Sequence, residues 1–503
     1  MHRYLTAVTA TLLTLATAGS SARLQIPPHQ HASPALENLS GEPGTVEVRL
    51  VAAPARMALL PSGDSTDVFA YNGRVPGPLL EVREGDRVVI RFRNDLPEPT
   101  TVHWHGLHLP FTADGSPFHL VAPGQEHTYE FTIQPGTAGT YWYHPHPHHR
   151  TGYQVGKGLY GGIIVRGADD PLAHLPEQLL ILSDNRFRED GSLDFPDPSS
   201  PAGRADFENG REGDVVFING VVMPTLEVAA GHVQRWRIIN ASAARVYRLA
   251  LEGRSFLHVG SDGGLFEHPV AVDEILVANG ERVEVLVRLT GEPGSTVRLQ
   301  ALPYDRYIPQ TRPADWNVTR DLLTVRVAEA AEPGTATTTA TTTATTTATS
   351  PTGSTGTTAT AGADFGVPGT LRPVPPLDTA AVTVRRVMTM SQGFINGRAM
   401  DMGRVDAVAE LGATEIWEVE NVVGMDHPFH LHGFQFQVLD RDGVPEAQRA
   451  WKDTVNVPGR SSVRFIVRFD RYAGLWMFHC HILSHEDAGM MGVLEVREGG
   501  GRP

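Results

Sequence analysis

Short runs of alternating apolar and polar residues recur along the chain, and three of them share a frame. Arg87-Val88-Val89-Ile90-Arg91-Phe92, Val233-Gln234-Arg235-Trp236-Arg237-Ile238 and Glu415-Ile416-Trp417-Glu418-Val419 carry the two-residue period of β-strands. Each is preceded by an Asn-Gly pair (Asn72-Gly73, Asn219-Gly220, Asn396-Gly397) and a second glycine (Gly85, Gly231, Gly412), and each ends on an asparagine (Asn94, Asn240, Asn421) nine residues after that glycine. A shared offset in three places predicts three copies of one β unit. The expected segments are 41–168, 175–330 and 365–498, the first closing after the strand-like Gly161-Gly162-Ile163-Ile164-Val165. Residues 331–364 are rich in Thr, Ala, Gly and Ser and have almost nothing apolar to bury, so they read as a linker or glycosylated stalk.

Composition narrows the picture. At 503 residues the chain is too long for a single small binding module, and 51 Gly with 37 Pro favour many turns and few long helices. The fold class expected is all-β. A net charge of −15 repels polyphosphate and anionic lipid, which argues against a nucleic-acid partner. Leu5 to Ala18 is weakly apolar, follows Arg3, and precedes small residues with cleavage options after Ala18 or Ala22; residues 1–22 therefore read as an export signal, giving a periplasmic or extracellular protein. No membrane span is expected, because no stretch is long and apolar enough.

Twenty-two histidines and one cysteine carry the chemistry. Nine residues after Asn94 stands His103-Trp104-His105, and nine after Asn421 stands His430-Leu431-His432; the same offset in the middle copy falls on Leu249 and Leu251. Later in the outer copies come His144-Pro145-His146 and His479-Cys480-His481. Residues i and i+2 of a strand share a face, so each pair presents two imidazoles to one site. Eight imidazoles exceed the needs of one metal ion and imply a multinuclear cluster between the outer copies, with ligands suited to copper, zinc, iron or nickel. Cys480, flanked by His479 and His481, must face the other way. With His427, His485 and Met490 it makes a His₂Cys set with a weak thioether, the arrangement of blue-copper electron-transfer sites. In the first copy the position of Cys480 is held by Pro145, so no such site forms there.

The motifs HWHG at 103–106, YHPH at 143–146, HPFHLHG at 427–433 and HCHILSHEDAGMM at 479–491 closely resemble the four copper-binding motifs of multicopper oxidases. The resemblance runs from about Asn72 to Val496 and is nearest to bacterial laccase-like and cuprous oxidases. It implies three cupredoxin-like Greek-key β-sandwich domains and four copper ions, one type 1, one type 2 and two type 3. His103 and His430 would hold the type-2 ion, His105, His144, His146, His432, His479 and His481 the type-3 pair, and His427, Cys480 and His485 with axial Met490 the type-1 ion. It further implies oxidation of a small reducing substrate by single electrons, coupled to four-electron reduction of dioxygen to water. His148 and His149 match no ligand position and are expected at the surface.

Four protons are consumed per dioxygen, so acids are needed beside the cluster. Asp114 and Glu486 match acids with that role in similar enzymes, although Asp114-Gly115 is equally a turn dipeptide and Glu486 equally a helix cap. The substrate expected is a phenol or aromatic amine, oxidised by an outer-sphere route that needs His427 or His485 at the surface and a nearby acceptor such as Asp426. The alternative is a cuprous oxidase in copper tolerance. Met388, Met390, Met400 and Met402 would serve it, but at such spacing they read first as strand and core residues. A structural relative would be expected to lack ligands, and none is missing; a copper-binding protein without turnover would keep some sites but has no need of Asp114, Glu486 or a Cys-bridged electron path.

Overall fold

The computed structural model describes residues 25–26, 33–306, 316–328 and 361–499. The expected export segment 1–22 and residues 331–360 of the expected linker lie outside them. Six sheets, two per repeat, make up the described residues, with the short helices α1 (Thr151–Gly156), α2 (Pro201–Asn209), α3 (Ala361–Phe365) and α4 (Leu483–Asp487) between strands. The all-β expectation holds, and the three units are cupredoxin-like β-sandwiches.

The repeat is visible bond by bond. Asn72, Asn219 and Asn396 have φ of 49°, 54° and 52°, and the following glycines 70°, 77° and 70°. Positive φ at both central residues is what a tight hairpin turn requires and what Asn-Gly tolerates. Each asparagine Oδ1 then accepts from a strand amide: Val51 at 2.7 Å, Ile181 at 2.8 Å and Thr389 at 2.8 Å. The closing asparagines are equally matched, since Asn94, Asn240 and Asn421 donate Nδ2 to the carbonyls of Val121, Val277 and Val457. Between these anchors the strands Arg87–Asn94, Val233–Asn240 and Thr414–Asn421 pair in parallel with Thr45–Ala58, Glu177–Asn185 and Val382–Ser391. Five residues after the repeat glycine, Ile90, Trp236 and Trp417 are fully buried in their own cores.

The middle unit departs from a simple in-and-out pattern. Arg235, Arg237 and Glu284 occupy the polar positions of paired strands Val233–Asn240 and Arg282–Arg288, yet all are buried, because the first unit covers that face. Glu284 accepts from Arg235 Nη2 at 2.6 Å, Arg237 Nη1 at 2.5 Å and Thr140 Oγ1 of the first unit at 2.6 Å. Burial alone would raise the Glu284 carboxyl, but the two guanidiniums hold it down at about 2. A carboxyl depressed on folding contributes stability that is complete above its unfolded value of about 4.3 and is lost as pH falls toward 2. Glu284→Gln should lower stability by about 3 kcal/mol at pH 6, and the wild-type advantage should vanish as pH falls through that window. Denaturant unfolding of both proteins between pH 2 and 6 measures it; a pH-independent difference would refute the assignment.

Candidate metal centre

Strand register assembles the histidines. In the first unit His103–His105 pairs antiparallel with Gly139–His144, setting His103 opposite His144. In the third, His427–Leu431 pairs with Gly474–Cys480, setting His430 opposite His479. The two outer units therefore face each other with equivalent edges, and all eight imidazoles are buried where they meet. Their rings pack directly: His105 stacks on His430 with centroids 3.8 Å apart, and His103 on His432 at 3.9 Å.

Most of these rings give one nitrogen to the protein and keep the other for the centre. His103 Nδ1 donates to Asp114 O, His144 Nδ1 to Pro145 O, His430 Nδ1 to Asp453 O, each at 2.9 Å, and His479 Nδ1 to Cys480 O at 3.0 Å. That leaves the Nε2 lone pairs directed inward. His105 is turned over: its Nε2 lies 3.0 Å from Asp453 Oδ1, so Nδ1 is its inward donor. Neither ring nitrogen of His481 has a protein hydrogen-bond partner among the described residues. Donor atoms gather in sets that could each hold a metal ion: His105, His144 and His481; His146, His432 and His479; and His103 and His430 with His105. In the second set His479 Nε2 lies 3.0 Å from His432 Nε2 and 3.3 Å from His146 Nε2. Burial, reinforced by the neighbouring imidazoles, pushes His144, His146, His432, His479 and His481 well below the usual histidine range. Neutral rings with orphaned inward lone pairs fit divalent or monovalent copper.

The other set lies across the strand. Cys480 Sγ is 3.4 Å from His427 Nδ1 and 3.7 Å from His485 Nδ1, and the two nitrogens are 3.3 Å apart. Met490 is buried in the same core cluster and its carbonyl accepts from Cys480 N at 3.1 Å. Burial raises the Cys480 thiol far above its ordinary value, so a thiolate there requires a bound cation. One thiol, two imidazoles and a thioether fit copper in particular.

Both expected acids are at the cluster. Asp114 Oδ2 accepts from His432 Nδ1 at 2.9 Å, and its turn role is also real: a side chain on Gly115, with φ of 77°, would strike the Val102 carbonyl. Glu486 is buried in α4, its carboxylate oxygens 3.5 Å from His146 Nδ1 and 3.4 Å from His479 Nδ1. Burial first, then Asp487, raises its carboxyl well above the usual range.

Two expectations need correction. His427 and His485 are not at the surface but 0% and 1% exposed, because His485 Nε2 is capped by the Glu208 carbonyl at 3.3 Å. Asp426 does not face a reductant; it is buried and accepts from Tyr304 Oη at 2.6 Å and Asn456 Nδ2 at 2.8 Å. The first reading of the methionines holds for three of the four: Met388 and Met390 are core and Met400 packs on Met477 and Met491, while Met402 is 38% exposed. His148 is half-buried and His149 exposed.

Sequence reading missed Asp453 and Arg282. Asp453 bridges His105 to Arg282, whose Nη1 and Nη2 reach it at 2.7 and 2.5 Å, and the guanidinium overcomes burial to hold the carboxylate well below its ordinary range. The sequence signal was charge in or next to apolar strands, at Arg282-Val283-Glu284 and at Lys452-Asp453 just before Thr454–Val457.

Comparison with known proteins agrees with this chemistry. Multicopper oxidase family models match residues 55–170, 189–296 and 373–500. The multicopper oxidase mco of Staphylococcus haemolyticus is 30% identical over 443 residues, covering 86% of this chain and 84% of that one. The laccase of Bacillus subtilis is 28% identical over 494 residues, covering 86% and 91%. A solved multicopper oxidase from Campylobacter jejuni, described as a metallo-oxidase, superposes with a TM-score of 0.79 at 32% identity, covering 93% of this chain and 95% of that one. With its histidine-rich interface, its Cys480 set and these relatives, the chain belongs to the multicopper oxidase family and is an oxidoreductase.

Proposed function

We propose that the protein oxidises small aromatic reductants, phenols or aromatic amines, one electron at a time and reduces dioxygen to water. The observation that carries this reading is the adjacency of two donor sets through Cys480: its side chain belongs to one, and its chain neighbours His479 and His481 belong to the other. On this reading four copper ions are held, one by His427, Cys480 and His485 with Met490 beside them, one by His103 and His430, and two by the sets His105-His144-His481 and His146-His432-His479. Bound copper supplies one-electron redox chemistry at the Cys480 set and dioxygen reduction at the histidine set.

The protein's own groups do the rest. Cys480 O accepts from His479 Nδ1 at 3.0 Å, so the path between the sets is short and covalent or hydrogen-bonded throughout. Glu486 holds a proton against His146 and His479, and Asp114 holds His432 and His103 in place while offering a second acidic site. Asp453 and Arg282 fix the tautomer of His105 from outside. The name laccase borne by the Bacillus subtilis relative supports the phenol class; the metallo-oxidase from Campylobacter jejuni supports the alternative, Cu(I) as reductant. Residues 1–22 support export, and no helix among the described residues is long and apolar enough to cross a membrane.

Dioxygen uptake by copper-loaded protein tests the substrate. A methoxyphenol should be turned over without added Cu(II); rapid oxidation of Cu(I) alone, or of phenol only when copper is added, would replace this reading with the cuprous one. Cys480→Ser should retain copper in the histidine set, lose the thiolate-to-copper absorption and slow turnover by about a thousandfold or more; steady-state rates, spectra and metal analysis report on the three. Asp453→Asn should weaken copper retention by about 10- to 100-fold and leave Arg282 buried against a neutral partner. Competition with a chelator measures the first effect and thermal unfolding of the copper-free protein the second.

A further inference from the structure

The outer edge of His485 is built over rather than merely crowded. With Nδ1 turned to Cys480 and His427, the ring can only present Nε2–H outward, and there it meets the last turn of α2. Final carbonyls of a helix have no partner within it, so Glu208 O is available to accept this hydrogen bond. The chain leaving α2 is then tied down residue by residue. Asn209 O accepts from Arg306 Nη2 at 2.8 Å. Gly210 has φ of 79°, and a Cβ there would sit 2.5 Å from Ala244 Cβ and 2.7 Å from Ile482 Cγ2. Arg211 N donates to Ser484 Oγ at 3.3 Å, Glu212 Oε1 accepts from Arg306 Nε at 2.8 Å and Nη2 at 2.6 Å, and Gly213 N donates to Asp184 Oδ2 at 2.6 Å.

Arg306 touches both the cover and the rim, the first through its side chain and the second through its backbone. Its guanidinium, 1% exposed, holds Asn209 and Glu212, while its carbonyl accepts at 3.2 Å from the amide of Asp426, the residue before His427. We propose that Arg306 is a positioning residue that decides which reductants the protein accepts: it pins the exit of α2 across the Nε2 edge of His485, so that donors meet the carbonyl end of α2 and bulky aromatic rings are kept off the imidazole. Phe207, 46% exposed on the outside of α2, is then part of the surface such donors first touch. The inference rests on the preceding reading of His485 as the outer edge of the one-electron site.

The test compares wild type, Arg306→Ala, Arg306→Lys and Glu212→Gln. In copper-free and copper-loaded protein, amide hydrogen exchange at Arg211 and Gly213 should rise by about tenfold or more in Arg306→Ala, with the strand His427–Leu431 unchanged. In the loaded enzyme KM for a dimethoxyphenol should fall by about 3- to 10-fold while KM for hexacyanoferrate(II), which needs no seat for a ring, stays put. The thiolate-to-copper absorption should persist, and lysine should restore most of both effects. Unchanged exchange overturns the proposal, as does a common shift of KM for both donors. Loss of the thiolate absorption in Arg306→Ala and Glu212→Gln alike would also overturn it, showing that Arg306 merely supports the site. Should Arg306→Ala fail to fold, Glu212→Gln, which keeps the guanidinium and weakens its grip on the cover, gives the same readouts. If the wild type oxidises no phenol, the reading of the preceding subsection fails, and exchange together with free against chelated Cu(I), a small and a bulky donor, still decides the latch.

Discussion

Eight buried imidazoles packed where the outer units meet are the constraint to which the rest of the structure answers. A buried acceptor without a partner costs about 1–3 kcal/mol, and protonating the rings to satisfy one another would set like charges a few ångströms apart. The rings escape part of this by donating outward to backbone carbonyls and to Asp114 and Asp453, and that leaves a convergent set of lone pairs which a bound cation satisfies. Everything that fixes the rings therefore fixes the metal geometry: the matched registers His103 to His144 and His430 to His479, and the close pass of Gly115 against Val102 that brings Asp114 in.

The middle unit holds none of these rings and is nonetheless part of the wall. Where the outer repeats carry imidazoles it carries Leu249 and Leu251, which simply fill its own core. Its loops contribute elsewhere. Gly280, with φ of 87°, lies so close to His481 that a Cβ would stand 2.8 to 2.9 Å from the ring, and Asn279 donates to the His481 carbonyl. Arg282 neutralises Asp453, while Asp262 and Glu281 take up Lys452 at 3.0 and 3.2 Å, so the charges next to the cluster are paired across the boundary between units. The repeat without imidazoles at this offset thus serves as a second layer of support.

How much of this was legible depended on whether a residue's role was local or came from another unit. The Asn-Gly turns, the closing asparagines and the four H-x-H pairs are read from spacing because they recur at fixed offsets and the bonds of those asparagines close within their own unit. The opposed faces of His479, Cys480 and His481 follow from the two-residue period alone. Arg235, Arg237 and Glu284 show the limit of that rule: alternation assigned them a polar face, and only the packing of the first unit through Thr140 turns that face into an interior. Asp453 was hidden for the same reason, its partners lying 171 and 348 positions away. The burial of His427 and His485 was illegible because the cover comes from α2, in a different repeat.

Comparison of Pro145 with Cys480 shows what the duplication changed and what it kept. In both outer units the residue between the two histidines turns its carbonyl to the Nδ1 of the preceding ring, at 2.9 Å in one and 3.0 Å in the other. The backbone that aims His144 and His479 is thus the same, and it does not need a thiol. The side chain alone differs, and with it the covalent link to a second donor set. Proline at 145 leaves the single thiol of the chain, Cys480, in the third unit, beside the His485 edge that α2 of the middle unit covers. The imidazole of His485 thus lies under the end of α2, and the same α4 turn that carries it also places Glu486 beside His146 and His479.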